Sequence, residues 1–303
     1  MLPFARITII GLGLIGSSVA RATRKSMPTA RITAYDADPA VRETVRALDL
    51  ADDVADTAGA SVIDADLVVL CVPVGAMGVV AAEFADDLPA EAIVSDVGSC
   101  KGAVLAALTE ALPGATIIPA HPVAGTERSG PEAGFSTLFQ KRWCIVTPPE
   151  GADELAVERV AEFWRRLGAD VELMAPDHHD RVLAVTSHLP HLIAYTIVGT
   201  ASDLEEVTQS EVIKYSAGGF RDFTRIAASD PTMWRDVFLT NREAVLEMLQ
   251  RFSEDLSQLQ RAIRWGKGDE LFDLFSRTRA IRRSIIDQGQ DDAREDFGRS
   301  HEG

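Results

Sequence analysis

The sequence predicts a doubly wound, mostly parallel α/β sheet followed by an all-helical domain. Three observations carry that reading: short apolar runs alternate with helix-patterned segments before residue 175, a glycine-rich turn directly follows the first run, and only helical periodicity remains after Pro176. At 303 residues the chain has room for about two domains.

The runs are, in order, ITII (7–10), RITAY (31–35), LVVLCV (67–72), AIVS (92–95), ATIIP (115–119), CIVT (144–147) and DVELM (170–174). Each is mostly unalternating, and strands apolar on both faces belong in a parallel sheet covered by helices. From Asp177 to Ile286 the apolar residues instead fall three and four apart. The pattern is clearest at Val245, Met248, Leu249, Phe252, Leu256, Leu259 and Ile263, which places one stripe on a helix. Helices with so little sheet to cover must pack on each other or on a second copy, so a homodimer formed through this half is expected. The expected division is 1–174, then 175–287, with a polar, disordered tail at 288–303.

Forty-six acidic against 30 basic side chains leave a formal charge of −16, with no basic run, which excludes nucleic acid as a partner. Cys71, Cys100 and Cys144 are too few and too far apart for a disulfide framework, so a reducing cytoplasm is the expected location. No membrane partner is expected. The uncharged run 67–82 falls short of the roughly 20 residues a spanning helix needs, and Pro73, Gly75 and Gly78 divide it into strand, turn and helix. ITIIGLGLIGSSVA loosely resembles a secretory leader, but cleavage would delete the first strand.

The glycines in that stretch have a tighter explanation. Residues 11–16 read GLGLIG between a strand and a helix-compatible segment. Gly11 allows the tight turn, Gly13 lets a pyrophosphate approach the backbone, and Gly16 lets helix and strand pack closely. Leu14 and Ile15 lie in the first helical turn, whose N–H groups face the phosphates. Asp36, at the end of the second strand, is placed to accept hydrogen bonds from the adenosine ribose hydroxyls. Its charge repels a 2′-phosphate and Ala37 offers no arginine to bind one, which favours NAD over NADP. Val72, the last residue of the third run, and Pro73 after it complete the expected cofactor contacts of a Rossmann-type domain over 1–174.

Ligands in open α/β sheets bind beyond the carboxyl ends of the strands. DVGSCK (96–101) follows one strand and AHPVAGTERSG (120–130) the next, so Ser99 and His121 are expected at neighbouring strand ends. A histidine there can take the proton of a substrate alcohol while hydride leaves the same carbon for the nicotinamide, and a serine hydroxyl can share that proton. The alternative is a loop histidine that satisfies backbone carbonyls. Cys100 reads as a small buried residue.

GLGLIG, DVGSCK, HPVAGTERSG, HHDRVLAVTSHLPHLIA (178–194) and SAGGFRDFTRIAASDPTMW (216–234), in this order, resemble the prephenate and arogenate dehydrogenases of tyrosine biosynthesis, the cyclohexadienyl dehydrogenase family. The resemblance implies a homodimer with a nucleotide-binding domain and a helical dimerisation and substrate domain. It implies NAD-dependent oxidative decarboxylation of prephenate, arogenate or both, to 4-hydroxyphenylpyruvate or tyrosine, with hydride leaving ring C4. On this reading His121 polarises the ring hydroxyl and accepts its proton, and Ser99 hydrogen-bonds both. Arg225 binds a substrate carboxylate, and His179 and His191 match histidines close to the substrate pocket. Thr126, Trp234 and Asp222 match positions in or near the pocket, the last from either its own subunit or the other. No mutase segment or small-molecule regulatory domain is expected on the chain, so any tyrosine feedback would act in the active site.

Chemistry agrees with these assignments. A dianionic substrate approaching so acidic a protein needs a local cation, and the Arg225 guanidinium offers a bidentate fork for a carboxylate. Its alternative is a structural ion pair with Asp222 or Asp230. No metal is expected: on a continuous helix at ~100° per residue from His179, His188 lies about 180° away and His191 about 120° away, so the three share no face. Pro190 is expected to kink that helix. Two other functions compete: a β-hydroxyacid-type dehydrogenase using Lys214, and a catalytically silent NAD-binding dimer. The acidic Glu127 is one candidate for favouring arogenate, which carries an ammonium where prephenate has a keto group.

Overall fold

The computed structural model describes residues 2–126, 128–203 and 218–287. The chain divides into two compact units, Met1–Leu246 and Glu247–Gly303. Glu127, Lys214 and the tail 288–303 lie outside the described residues, as do the first two residues of the SAGG motif.

The strands β1 (Arg6–Ile10), β2 (Arg31–Tyr35), β3 (Asp53–Val54), β4 (Leu67–Leu70), β5 (Ile93–Asp96) and β6 (Thr116–Ile117) form a parallel sheet in the order β3-β2-β1-β4-β5-β6. Ile7 pairs in register with Ile32 on one side and Leu67 on the other. The central strands are apolar because helices cover both faces, and all of β4 is buried. The helices are α1 (Leu14–Ser26), α2 (Pro39–Ala47), α3 (Ala58–Val62), α4 (Met77–Ala82) and α5 (Gly102–Ala111). The run 67–82 is strand, turn and helix: β4, a 3-10 turn at Val74–Ala76, then α4. Strand order reverses between β1 and β4, which opens a crevice at their carboxyl ends.

Regular winding stops after β6. A second sheet holds β7 (Ala120–Pro122), β8 (Trp143–Val146) and β9 (Asp170–Leu173), with β7 antiparallel to β8 and β8 parallel to β9. His121 therefore lies within β7, opposite Ile145, and not at a strand end of the main sheet. Pro119 is the physical reason: without an N–H it cannot continue a ladder, and its carbonyl instead accepts from the Thr147 N–H at 2.8 Å. The helix α6 (Glu154–Arg166) packs here, capped by Asp153 and anchored by Trp164 edge-on to Phe139 and Phe163.

Beyond β9 every described element is helical. α7 (Pro176–Leu183) runs through a π-helical turn at Ala184–His188 into α8 (Leu189–Asp203); α9 (Gly218–Thr224) follows, then a 3-10 turn at Arg225–Ala228 and α10 (Pro231–Thr240). Pro190 lacks the N–H that a regular turn needs, and the chain passes through a wide turn just before it. Pro176–Asp203 is a 28-residue helical stretch, long and apolar enough by length and composition to cross a membrane, with 22% of its most apolar window buried. The last helices are α11 (Arg242–Arg264) and α12 (Gly268–Asp287). In the second unit Leu256, Ile263, Trp265, Phe272, Phe275 and Ile281 are all exposed.

Candidate active site

Gly11, between β1 and α1, has φ +92°, and a Cβ there would stand 2.7 Å from the Cys71 carbonyl and 2.9 Å from a Val72 methyl. Only glycine fits. A Cβ on Gly16 would collide with the Gly11 carbonyl, so helix and turn close on each other. Gly13 is the opposite: a Cβ there would meet nothing within 4 Å, and its open face precedes the N–H groups of Leu14, Ile15 and Gly16, ahead of the first helical bond, Ser17 to Gly13. No side chain caps α1. An open backbone face at an uncapped helix start fits a pyrophosphate. The Asp36 carboxylate is held beside it by the Leu12 N–H at 2.8 Å and the Asp38 N–H at 3.0 Å. Val72 adjoins Gly11, and Pro73 starts the turn into α4.

Across the crevice, three side chains form a hydrogen-bonded series. His121 Nδ1 lies 2.9 Å from His179 Nε2, and His179 Nδ1 lies 2.9 Å from Asp180 Oδ1. Asp180 also accepts from the Lys101 and Gly102 N–H groups, at 2.8 and 2.9 Å, and so closes the start of α5 from α7. Burial pushes the Asp180 carboxyl up, but these donors outweigh it and hold it below the usual carboxylate range. With Asp180 ionised, His179 Nδ1 must donate to it, His179 Nε2 must accept, and His121 Nδ1 must donate in turn. His121 Nε2 is left with its lone pair free. Burial above all, then His179, Lys101 and His188, hold His121 well below the ordinary histidine value, so it is neutral near pH 7.

The DVGSCK loop is pinned from beneath. Lys101 Nζ donates to Asp96 Oδ2 at 2.5 Å and to the Ala120 carbonyl at 2.7 Å, with both side chains of the ion pair fully buried. The Gly98 N–H donates to the same carboxylate at 2.7 Å. Burial raises the Asp96 carboxyl against the pull of Lys101. This joins the end of β5 to β7 one residue before His121, with half-buried Ser99 on the loop between. Ser99 makes no direct hydrogen bond to His121. Burial pushes the Cys100 thiol up to about 12, which suits an inert core residue.

The α7–α8 stretch carries four histidines, and the π turn changes the phase of His188 and His191 relative to His178 and His179. A wide turn rotates later residues back, so buried His188 comes near enough to His121 to lower it and near enough to His179 to be lowered by it, contrary to the continuous-helix expectation. Burial takes His188 to about 4. Among the described residues no group of three His, Cys, Asp or Glu side chains could hold a metal. His191 stacks on Trp234 at 3.6 Å and 23°, and donates from Nδ1 to the Ser187 carbonyl. Arg225, exposed at the 3-10 turn, is near enough to lower His191 further and has no carboxylate partner among the described residues. Asp230 is spent on capping α10.

The structure brings His121 against His179, and His191 against Trp234 with Arg225 nearby. His179 is fully buried behind His121 with both ring nitrogens engaged. Thr126 is exposed and accepts from the Arg128 N–H, and Asp222 sits on α9 one turn before Arg225. Sequence reasoning missed Asp96, Lys101, Asp180, His188 and Asn241. The adjacent letters HHD and the terminal lysine of DVGSCK were legible signals for Asp180 and Lys101; Asn241 had none.

Comparison with known proteins places the chain in a family. Residues 19–173 match the model of the prephenate dehydrogenase nucleotide-binding domain and residues 175–277 that of the prephenate dehydrogenase dimerization domain. The chain is 46% identical to the cyclohexadienyl dehydrogenase of Zymomonas mobilis, over 94% of this chain and 97% of that one. It is 33% identical to the prephenate dehydrogenase of Bacillus subtilis, over 91% and 75%. A crystal structure of Aquifex aeolicus prephenate dehydrogenase with hydroxyphenyl propionate and NAD+ superposes with a TM-score of 0.87 at 33% identity, covering 94% of this chain and 98% of that one. With a Rossmann-type parallel sheet followed by a helical domain, and with matches to both halves, the chain belongs to the prephenate dehydrogenase family of oxidoreductases.

Proposed function

We propose that this enzyme carries out the NAD-dependent oxidative decarboxylation of prephenate, arogenate or both, with His121 as proton acceptor. The observation that carries this is the Asp180, His179, His121 series, which leaves a neutral imidazole with Nε2 free at the crevice. NAD, when bound, supplies the hydride acceptor. Gly11, Gly13, Leu14, Ile15 and Gly16 hold its pyrophosphate, Asp36 its adenosine ribose, and Val72 and Pro73 line the adjoining wall.

His121 Nε2 accepts the proton of the ring C4 hydroxyl, and Ser99 orients that hydroxyl. Loss of CO₂ then makes the ring aromatic, which drives the step forward. Arg225 clamps a substrate carboxylate, His191 and Trp234 form the wall beside it, and Thr126 and Asp222 complete the pocket. His179 acts through His121. A nucleotide-binding domain over 1–174, a dimerisation and substrate domain over 175–287 and a tail from 288 describe this division of labour. The exposed apolar faces of Pro176–Asp203 and of the second unit are covered by a second copy of the chain, not by lipid, and the enzyme works in the cytoplasm.

Parallel assays with prephenate and arogenate, each with NAD and NADP, test the reading by absorbance of the reduced cofactor. Turnover of at least one substrate, faster with NAD, is expected; failure with both substrates overturns the assignment. Light scattering at micromolar concentration should give twice the chain mass.

A further inference from the structure

We propose that Asn241 is a positioning residue that fixes His188 as its Nε2–H tautomer beside the Ser99 loop while holding the main chain at Asp180. The inference deepens the dehydrogenase reading above and rests on it.

Asn241 ends α10 and is buried. Its Nδ2 donates to the Asp180 carbonyl at 2.8 Å and lies 3.1 Å from His188 Nδ1. An amide nitrogen has two hydrogens and no lone pair to offer, so His188 Nδ1 has to accept. The hydrogen of the neutral ring is therefore on Nε2. That atom is fully buried and short of good hydrogen-bond geometry, and the Ser99 main chain is the group near enough to accept from it, raising His188 against the pull of burial. The ring stands edge-on to Trp234 at 6.1 Å. Buried donors are satisfied as a rule, so a hydrogen on Nε2 ties the ring to the main chain of the segment that carries Ser99.

One side chain thus joins three pieces of the site. Its first hydrogen holds the main chain of the residue whose carboxylate orders His179 and, through it, His121; its second sets the polarity of the ring behind Ser99. The chemistry requires two donors at one point. Aspartate, nearly the same shape, supplies none.

Asn241→Asp separates this role from simple packing. In the intact protein labelled with ¹⁵N-histidine, NMR should show wild-type His188 as the Nε2–H tautomer and the variant with hydrogen on Nδ1. The variant should lose about tenfold in kcat with the KM for NAD unchanged. His188→Gln, which keeps an N–H near the Nε2 position, should stay within about threefold of wild type, whereas His188→Leu should fall as far as the aspartate variant. A wild-type Nδ1–H tautomer, or an inverted tautomer with undiminished kcat, overturns the proposal. So does loss of kcat only in proportion to loss of folded protein by circular dichroism. The tautomer is read without turnover, so an enzyme inactive on both substrates would refute the dehydrogenase reading and leave this measurement decisive on its own.

Discussion

His121 and His179 meet at 2.9 Å, Nδ1 to Nε2, with their rings inclined at 69°. They come from β7 and α7, 58 positions apart. Two neutral imidazoles bonded this way must share one hydrogen, and Asp180 decides which ring supplies it. The His121 ring is thereby oriented by the Asp180 carboxylate acting through His179.

Replacing His121 with asparagine keeps a small polar side chain and removes the base. Steady-state kinetics should show kcat lower by roughly 10²-fold or more, with NAD affinity by fluorescence titration nearly unchanged. Near wild-type kcat would remove His121 from the role.

The wild-type kcat profile should carry an acid limb that begins well below pH 6.5, because His121 must be neutral to accept a proton and its burial delays protonation to lower pH. The same depression has a sign for stability. Below about pH 6.5 the unfolded chain binds protons that folded His121, His179 and His188 refuse, so stability falls as pH drops toward the folded values, about 4 for His188. Urea midpoints at pH 5 should lie below those at pH 7.5.

Asp180→Asn leaves His179 without a carboxylate and weakens the α5 cap. Kinetics should show kcat down about tenfold with the acid limb displaced, since the ring that orders His121 loses its fixed tautomer. An unaltered pH profile would make Asp180 a structural cap only.

Arg225→Ala should act on substrate affinity. A charge-assisted bond of about 1.5–3 kcal/mol corresponds to a rise in KM of roughly 10- to 150-fold, with kcat much less affected. Poor folding with a normal KM would reassign the arginine to structure.

Lys101→Met strands a buried carboxylate. Denaturation should show a loss of about 3–5 kcal/mol, and adding Asp96→Asn should recover part of it. Additive losses would mean that the pair is not coupled.

Local pattern carried the first half of the fold. Apolar runs, GLGLIG and the aspartate past RITAY were legible because strand burial, a φ of +92° at Gly11 and helix starts depend on neighbours in the chain. The missed pieces are those where position along the chain says little. β7 is only three residues long and takes its place from β8, and the π turn exists because Pro190 must be accommodated in a packed helix.

By itself the sequence determined the parallel sheet, the nucleotide turn, the helical second half and the residue types able to do the chemistry. Only the tertiary structure decided that Lys101 and Asp96 pair beneath Ser99, that His179 stands behind His121, and that Asn241 holds Asp180 and His188. The reason is physical: periodicity records which face of an element avoids water, whereas the partner of a buried donor is settled only when separate elements pack and every polar group left inside must find its bond.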